Sequence, residues 1–353
     1  MLAIVVALAL PATVAAHGPV PADPPSLATL VLGWTFQPLV AVPLVLAAIG
    51  WLALVRRIGR LHPDTPVPLV RTGAFLGGLA AIAVALMSGI ERYDTTLFSV
   101  HMAQHLLLLL VAPPLIALAA PITQLLRAAS PRVRNGILLP ILHSNAVSVL
   151  AHPIVAWLTF ALVLWGSHFS PLFNIALEDP GAHDIEHAAY LVAALLFWWP
   201  VVGLDPAPRR MSYAARLLYL LLQLPLNSFL AMAILFADEP LYPHYATLGS
   251  PYGISPLADQ QLAGGVMWFA GDIAFIGAIL LLIGGWMRHE QRDAPAAERR
   301  ADVDRARLRE RADQLARVRA AASGAGAGAA GTAGAAGSGP TTQPGSGDPS
   351  SSR

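Results

Sequence analysis

Apolar residues along this chain fall into long runs separated by short polar stretches, without the alternating or one-sided stripes of a water-soluble fold. Seven runs, near 37–56, 70–90, 97–120, 147–168, 183–203, 214–236 and 264–287, approach the ~20 residues that carry a helix across a hydrocarbon core. Each predicts a transmembrane helix, because a helix satisfies its backbone polar groups within its own segment where water is absent. Pro38, Pro43, Pro113, Pro114, Pro153 and Pro225 fall inside or at the ends of these runs and predict kinks. The expected fold is all-α: a polytopic membrane protein of seven spans, with the lipid bilayer as its solvent.

The flanks read differently. Met1–Ala16, "MLAIVVALALPATVAA", has a short apolar core and ends in small residues, the pattern of a signal peptide cleaved after Ala16. Residues 17–290 then form the membrane domain. From 291 to 320, arginines interleave with acids at helical spacing, as in a solvated helix held by i,i+4 pairs. From 321 to 353 the Gly/Ala/Ser/Pro-rich sequence cannot bury a core and is expected to be disordered.

Composition agrees with the runs. Hydrophobic residues make up 56% of 353 positions and charged ones only 12%, against the ~25% usual in soluble domains. Mean hydropathy is +0.59. Cysteine is absent, so disulfides, thiolate metal sites and thiol redox chemistry are excluded. A net charge of +1, without a basic patch among aromatics, gives no sign of nucleic acid as a partner.

Arginine placement predicts the sidedness. Arg56, Arg57, Arg60 and Arg71 flank the first loop, Arg127, Arg132 and Arg134 sit in the third, Arg209, Arg210 and Arg216 in the fifth, and Arg288 follows the last span. The alternate loops hold only Arg92. Positive charge marks cytoplasmic loops, so the N-terminus is expected outside and the C-terminus in the cytoplasm.

Given that topology, the histidines sort by side. His101 and His105 lie in the outer half of the third span, and His183 and His187 open the fifth in "HDIEH". Residues i and i+4 share a helix face about 6 Å apart along the axis, so these are two two-imidazole faces reached from outside. His183 at the head of its span and His105 about two turns into its own predict unequal depths. Ionisable groups in a span cost ~2.5 kcal/mol or more and usually face the protein interior. A nitrogen cluster without thiolates suits copper, zinc or a haem iron. Asp184, Glu186, Glu91, Gln104 and Asp272 are candidates to orient the histidine rings or to act as ligands themselves. His168 and His244, taken singly, read as interfacial. Met87, Met102, Met232 and Met267 read first as packing, with thioether ligation of copper the less common role. Trp198-Trp199-Pro200 reads as an aromatic belt.

The segments "HMAQHLLLLLVAPPLIALAAP" (101–121), "SPLFNIALEDPGAHDIEHAAYLVAALLFWWPVVG" (170–203) and "LYPHYATLGSPYGISPLADQQLAGGVMWFAGD" (241–272) together resemble the CtaG family of caa3-type cytochrome c oxidase assembly factors. "WTFQPLVAVPLVLAAIGWLALV" (34–55) matches more loosely, and the resemblance covers about residues 30–288. It implies a seven-span protein of the bacterial plasma membrane that acts in maturing a haem-copper oxidase, with oxidase subunits as partners and copper supply as its role. It assigns nothing to the Arg-rich and Gly/Ala-rich tail.

Three functional classes stand at this point. The first is a non-enzymatic assembly factor that binds copper at the outer face through His101, His105, His183 and His187. The second is a b-type haem protein with one histidine of each pair as an axial ligand. The third is a scaffold or transporter whose histidines are structural. Nucleophile–base pairings, phosphate loops and nucleotide motifs are absent from the sequence, so an enzyme is not expected.

Overall fold

The structure, a computed structural model, describes residues 20–333. The expected signal peptide lies outside the described residues, as does 334–353. Every regular element among the described residues is helical. The described residues divide into two compact units, one up to Gly285 and one from Trp286.

The first unit starts with α1 (Leu27–Leu32), held by a capping box between Ser26 and Thr29. α2 (Pro38–Leu61) and α3 (Leu69–Met87) follow, then the short α4 (Gly89–Tyr93). The third membrane segment contains α5 (Phe98–Leu106), a π-helical turn (Leu107–Val111), α6 (Ala112–Leu118) and α7 (Pro121–Ala128). After short helical turns come α8 (Pro153–His168), α9 (Pro171–Glu178), α10 (Pro180–Val202), α11 (Tyr213–Leu235), α12 (Pro243–Thr247) and α13 (Pro256–Ala333).

Among the described residues, six helices are long and apolar enough to cross a membrane, seven if the bent pair α8–α9 is one span. Their lipid-facing sides stay apolar: Leu39, Val42, Val45, Leu46 and Ile49 of α2 are exposed while Val40, Ala41, Leu44, Trp51 and Ile58 are buried. α3 packs on α6, and α10 packs on both α6 and α8, so α10 is central.

The fourth expected span needs correction. It does not run unbroken over 147–168: its helix begins at Pro153, ends at His168, and bends by 70° into α9. Proline supplies the reason, since the residue before it is driven out of the helical region. His152 (ψ 126) and Ser170 (ψ 167) are both extended, and each caps the helix that follows with its own side chain.

The kink expected at Pro113-Pro114 takes the form of the π-helical turn just before them. Pro113 has no N–H to offer the carbonyl four residues back, Leu109. That carbonyl instead accepts from Trp198 Nε1 at 2.9 Å. Trp198 is therefore not part of an interfacial belt; it is buried in the core and ties α10 to the distorted segment.

In the second unit, backbone helix runs to Ala333, past the boundary near 320 drawn from composition. The exposed pairs Asp302–Arg305 (2.6 Å), Asp304–Arg307 (3.8 Å) and His289–Asp293 (3.4 Å) line this helix. Such pairs contribute only ~0.3–0.5 kcal/mol each.

Candidate metal centre

The two histidine-bearing helices start differently but in register. α10 is capped locally: Asp179 Oδ1 accepts from Ala182 N at 2.7 Å, and Pro180 occupies the first turn, where its missing N–H is harmless. α5 has no cap of its own. Asp259, from the "ADQQ" stretch of α13, reaches across instead, accepting from Phe98 N at 2.6 Å and from Ser99 Oγ at 2.5 Å. The next residue, Gln260, accepts from Leu241 N at 2.7 Å, so "DQ" holds two distant segments against the start of α13. Asp259→Ala is expected to cost about 1 kcal/mol, the usual loss of a helix cap. It should also speed amide exchange at Phe98 and Ser99, while Asp259→Asn, which keeps one acceptor, retains most of the protection. Unchanged exchange in the alanine variant would remove this role.

This register brings the two pairs level. His101 is the fourth residue of α5 and His183 the fourth of α10. The rings of His101 and His183 are 5.2 Å apart and those of His105 and His187 5.9 Å, while within each helix the paired rings lie 4.2 Å and 4.1 Å apart. The unequal depths expected from the sequence are not found, because the third span begins at Phe98 and the fifth already at Pro180. All four imidazoles are buried.

Two carboxylates complete the cluster. Glu186 Oε2 lies 3.9 Å from Nε2 of both His101 and His105, and Asp94 Oδ2 lies 3.7 Å from His183 Nε2. Two overlapping triads result, Asp94/His183/His187 and His101/His183/Glu186, each with its donor atoms within 4.8 Å of one another. His183 belongs to both, and His105 to neither. Both ring nitrogens of His105, Asp94 Oδ2 and Glu186 Oε2 are buried and make no hydrogen bond within the protein. Buried polar atoms are normally satisfied, and a cation among these would satisfy several at once.

The surrounding polar groups fix orientation. Gln104 Nε2 donates to Glu91 Oε2 (2.6 Å) and to Ala85 O (3.0 Å), so its Oε1 is the oxygen that meets His187 Nε2 at 3.1 Å. His187 must therefore carry its proton on Nε2, leaving Nδ1 as the lone-pair nitrogen. Glu91 also accepts from Gln37 Nε2 at 3.3 Å. Gln104 and Glu91 thus form a hydrogen-bonded layer beside His187, and Glu186 is one of the triad residues. Asp184 is half-buried. Asp272 lies elsewhere in function: it accepts from Ser228 Oγ at 2.9 Å.

Two residues were not legible as members of this cluster. Asp94 sits in the turn between α4 and α5; its one signal was the spacing of two acids, Glu91 and Asp94, at a span end. Burial, and then the neighbouring Glu91, pushes the Asp94 carboxyl well above the usual carboxylate range. His168, read as interfacial, is buried with its ring 6.3 Å from that of His105, since the bend after α8 folds it inward. His244 bonds Thr95 O at 2.8 Å and stays half-buried outside the triads.

A family model described as cytochrome c oxidase caa3 assembly factor matches residues 48–289. Uncharacterized proteins of Mycobacterium bovis and Mycobacterium tuberculosis are each 32% identical over 289 residues, covering 80% of this chain and 43% of the relative. One of Mycobacterium leprae is 30% identical over 288 residues, covering 79% of this chain and 43% of its own length. The chain thus spans less than half the length of these relatives. No solved structure matches it.

Proposed function

The chain belongs to the family of caa3 cytochrome c oxidase assembly factors, multi-pass proteins of the bacterial plasma membrane, and we propose that its buried imidazole–carboxylate cluster takes up copper at the outer face and holds it for an oxidase subunit. The observation that carries this reading is the pair of overlapping triads centred on His183. Sidedness enters through the arginines, which assign the ends of α5 and α10 that bear the histidines to the outside.

The side chains have separable tasks. Neutral imidazoles suit copper, and in a thiolate-free chain they are its strongest donors. Glu186 and Asp94 offset the charge of an ion that would be costly to bury alone. Gln104 sets the His187 tautomer and turns its Nδ1 away from the amide network. The role is non-enzymatic: an ion is held and passed on, and no covalent bond is made or broken.

Packing favours an ion over a haem. The His105 ring has His101, Tyr190, His187, Phe173 and His168 at 4.2 to 6.3 Å, which fills the plane a tetrapyrrole would need between α5 and α10. Metal analysis and optical spectra of purified protein test both. Bound copper without a Soret band is expected, with copper content and active oxidase both reduced in His101→Ala and His187→Ala although the protein remains in the membrane. Full copper and full oxidase assembly in those variants would make the histidines structural; a Soret band would make the cofactor haem.

A further inference from the structure

The α5 face that carries His105 also carries Met102, three residues earlier and one turn away. Both line a small cavity further along α5 than the triads, together with His168 from α8 and Met267 from α13. The rest of its wall is mostly Leu and Phe, including Leu109, Phe160 and Leu164. Its free volume of about 10 Å³ suits one ion or one water.

Two facts set this cavity apart from ordinary packing. His168 Nδ1 lies 2.7 Å from Leu164 O, a pure acceptor, so Nδ1 carries the proton and Nε2 the lone pair. That Nε2 is buried and makes no hydrogen bond, and neither nitrogen of His105 makes one. A ring locked in one tautomer by a backbone carbonyl, with its other nitrogen unsatisfied, is the usual state of a metal-binding histidine. Met102 and Met267 are both almost fully buried.

We propose a second metal position here, in which His105, His168, Met102 and Met267 hold copper(I), the two imidazoles and two thioethers serving as an uncharged donor set. Thioethers select the soft monovalent ion. A cavity walled chiefly by Leu and Phe, with Asn227 but without a carboxylate among its lining residues, disfavours a divalent one. His105, which stands in neither triad yet has its Nε2 3.9 Å from Glu186, links the two positions. The inference rests on copper being the cargo and adds the oxidation state and a second stop for it.

Full-length protein in detergent, loaded with copper(I) under reductant, tests this by X-ray absorption at the copper edge. Wild-type protein is expected to show sulfur as well as nitrogen neighbours. Met102→Leu/Met267→Leu should lose the sulfur signal and one equivalent of copper(I) while keeping the remainder. A wild-type spectrum with only nitrogen and oxygen neighbours overturns the proposal, as does a double variant that keeps every equivalent. The wild-type spectrum needs no variant, so misfolding of the double variant leaves the test standing, and Met267→Ile gives a gentler second arm. His183→Ala separates this position from the triads: sulfur-bound copper retained in that variant locates the failure, if any, in the triads alone. Protein that takes up no copper overturns both readings.

Discussion

His183→Ala is expected to produce the largest loss of triad-bound copper of any single histidine change. It is the one residue in both triads, so its removal leaves Asp94/His187 and His101/Glu186 as separate two-donor remnants. In the first remnant Asp94 also loses its 3.7 Å neighbour, while Glu186 keeps His101 and His105 at 3.9 Å, and two donors each are too few to offset the cost of burying the ion. Oxidase activity in cells should fall in parallel, with the protein still in the membrane. His143→Ala, an exposed histidine outside both triads, is the matched control and should behave as wild type. Copper retained in the His183 variant at wild-type stoichiometry would remove the triads as the site. Uptake should also depend on pH. Burial, and then the neighbouring Glu91, raises the Asp94 carboxyl above the usual carboxylate range, so a proton competes with copper for it up to a higher pH than at an exposed carboxylate. Affinity should therefore rise with pH through the range in which Asp94 loses its proton. Asp94→Asn should flatten that slope, which copper titrations at two pH values would read directly.

Gly264→Ala is expected to destabilise the fold strongly and Gly265→Ala scarcely at all. A Cβ at Gly264 would meet Leu235 N at 2.7 Å and Leu235 Cα and Cβ at 2.9 Å. Two of those atoms are backbone, so the end of α11 and the start of α13 would have to separate. Overpacking of this kind costs ~1–3 kcal/mol, occasionally more. At Gly265 nothing lies within 4 Å, and alanine gains helix propensity instead. Thermal melting of the two purified variants gives the comparison, and equal melting temperatures would refute the close approach. The effect should spread to the metal centre, because the same stretch of α13 carries Asp259, the cap of α5.

Much of this was written in the order of residues. Long apolar runs require helices because lipid leaves the backbone no other partner, so the approximate place of most spans follows from length and hydropathy, and the break in the fourth does not. The i,i+4 spacing of His101/His105 and His183/His187 likewise requires one face each, whatever the surroundings. Pairing those faces at equal height was a different matter. It depends on where each helix begins, and α5 begins where a carboxylate 160 residues away caps Ser99. Asp94 and His168 joined the cluster through a turn and a 70° bend, features set by local φ/ψ and proline sterics that carry no hydropathy signal. Trp198 looked interfacial because hydropathy cannot see a carbonyl orphaned by Pro113 on another helix. Periodicity determines what one helix presents. Which faces meet, and which donor atoms converge within ion-binding distance, is decided only when caps, bends and close glycine contacts fix the helices against one another.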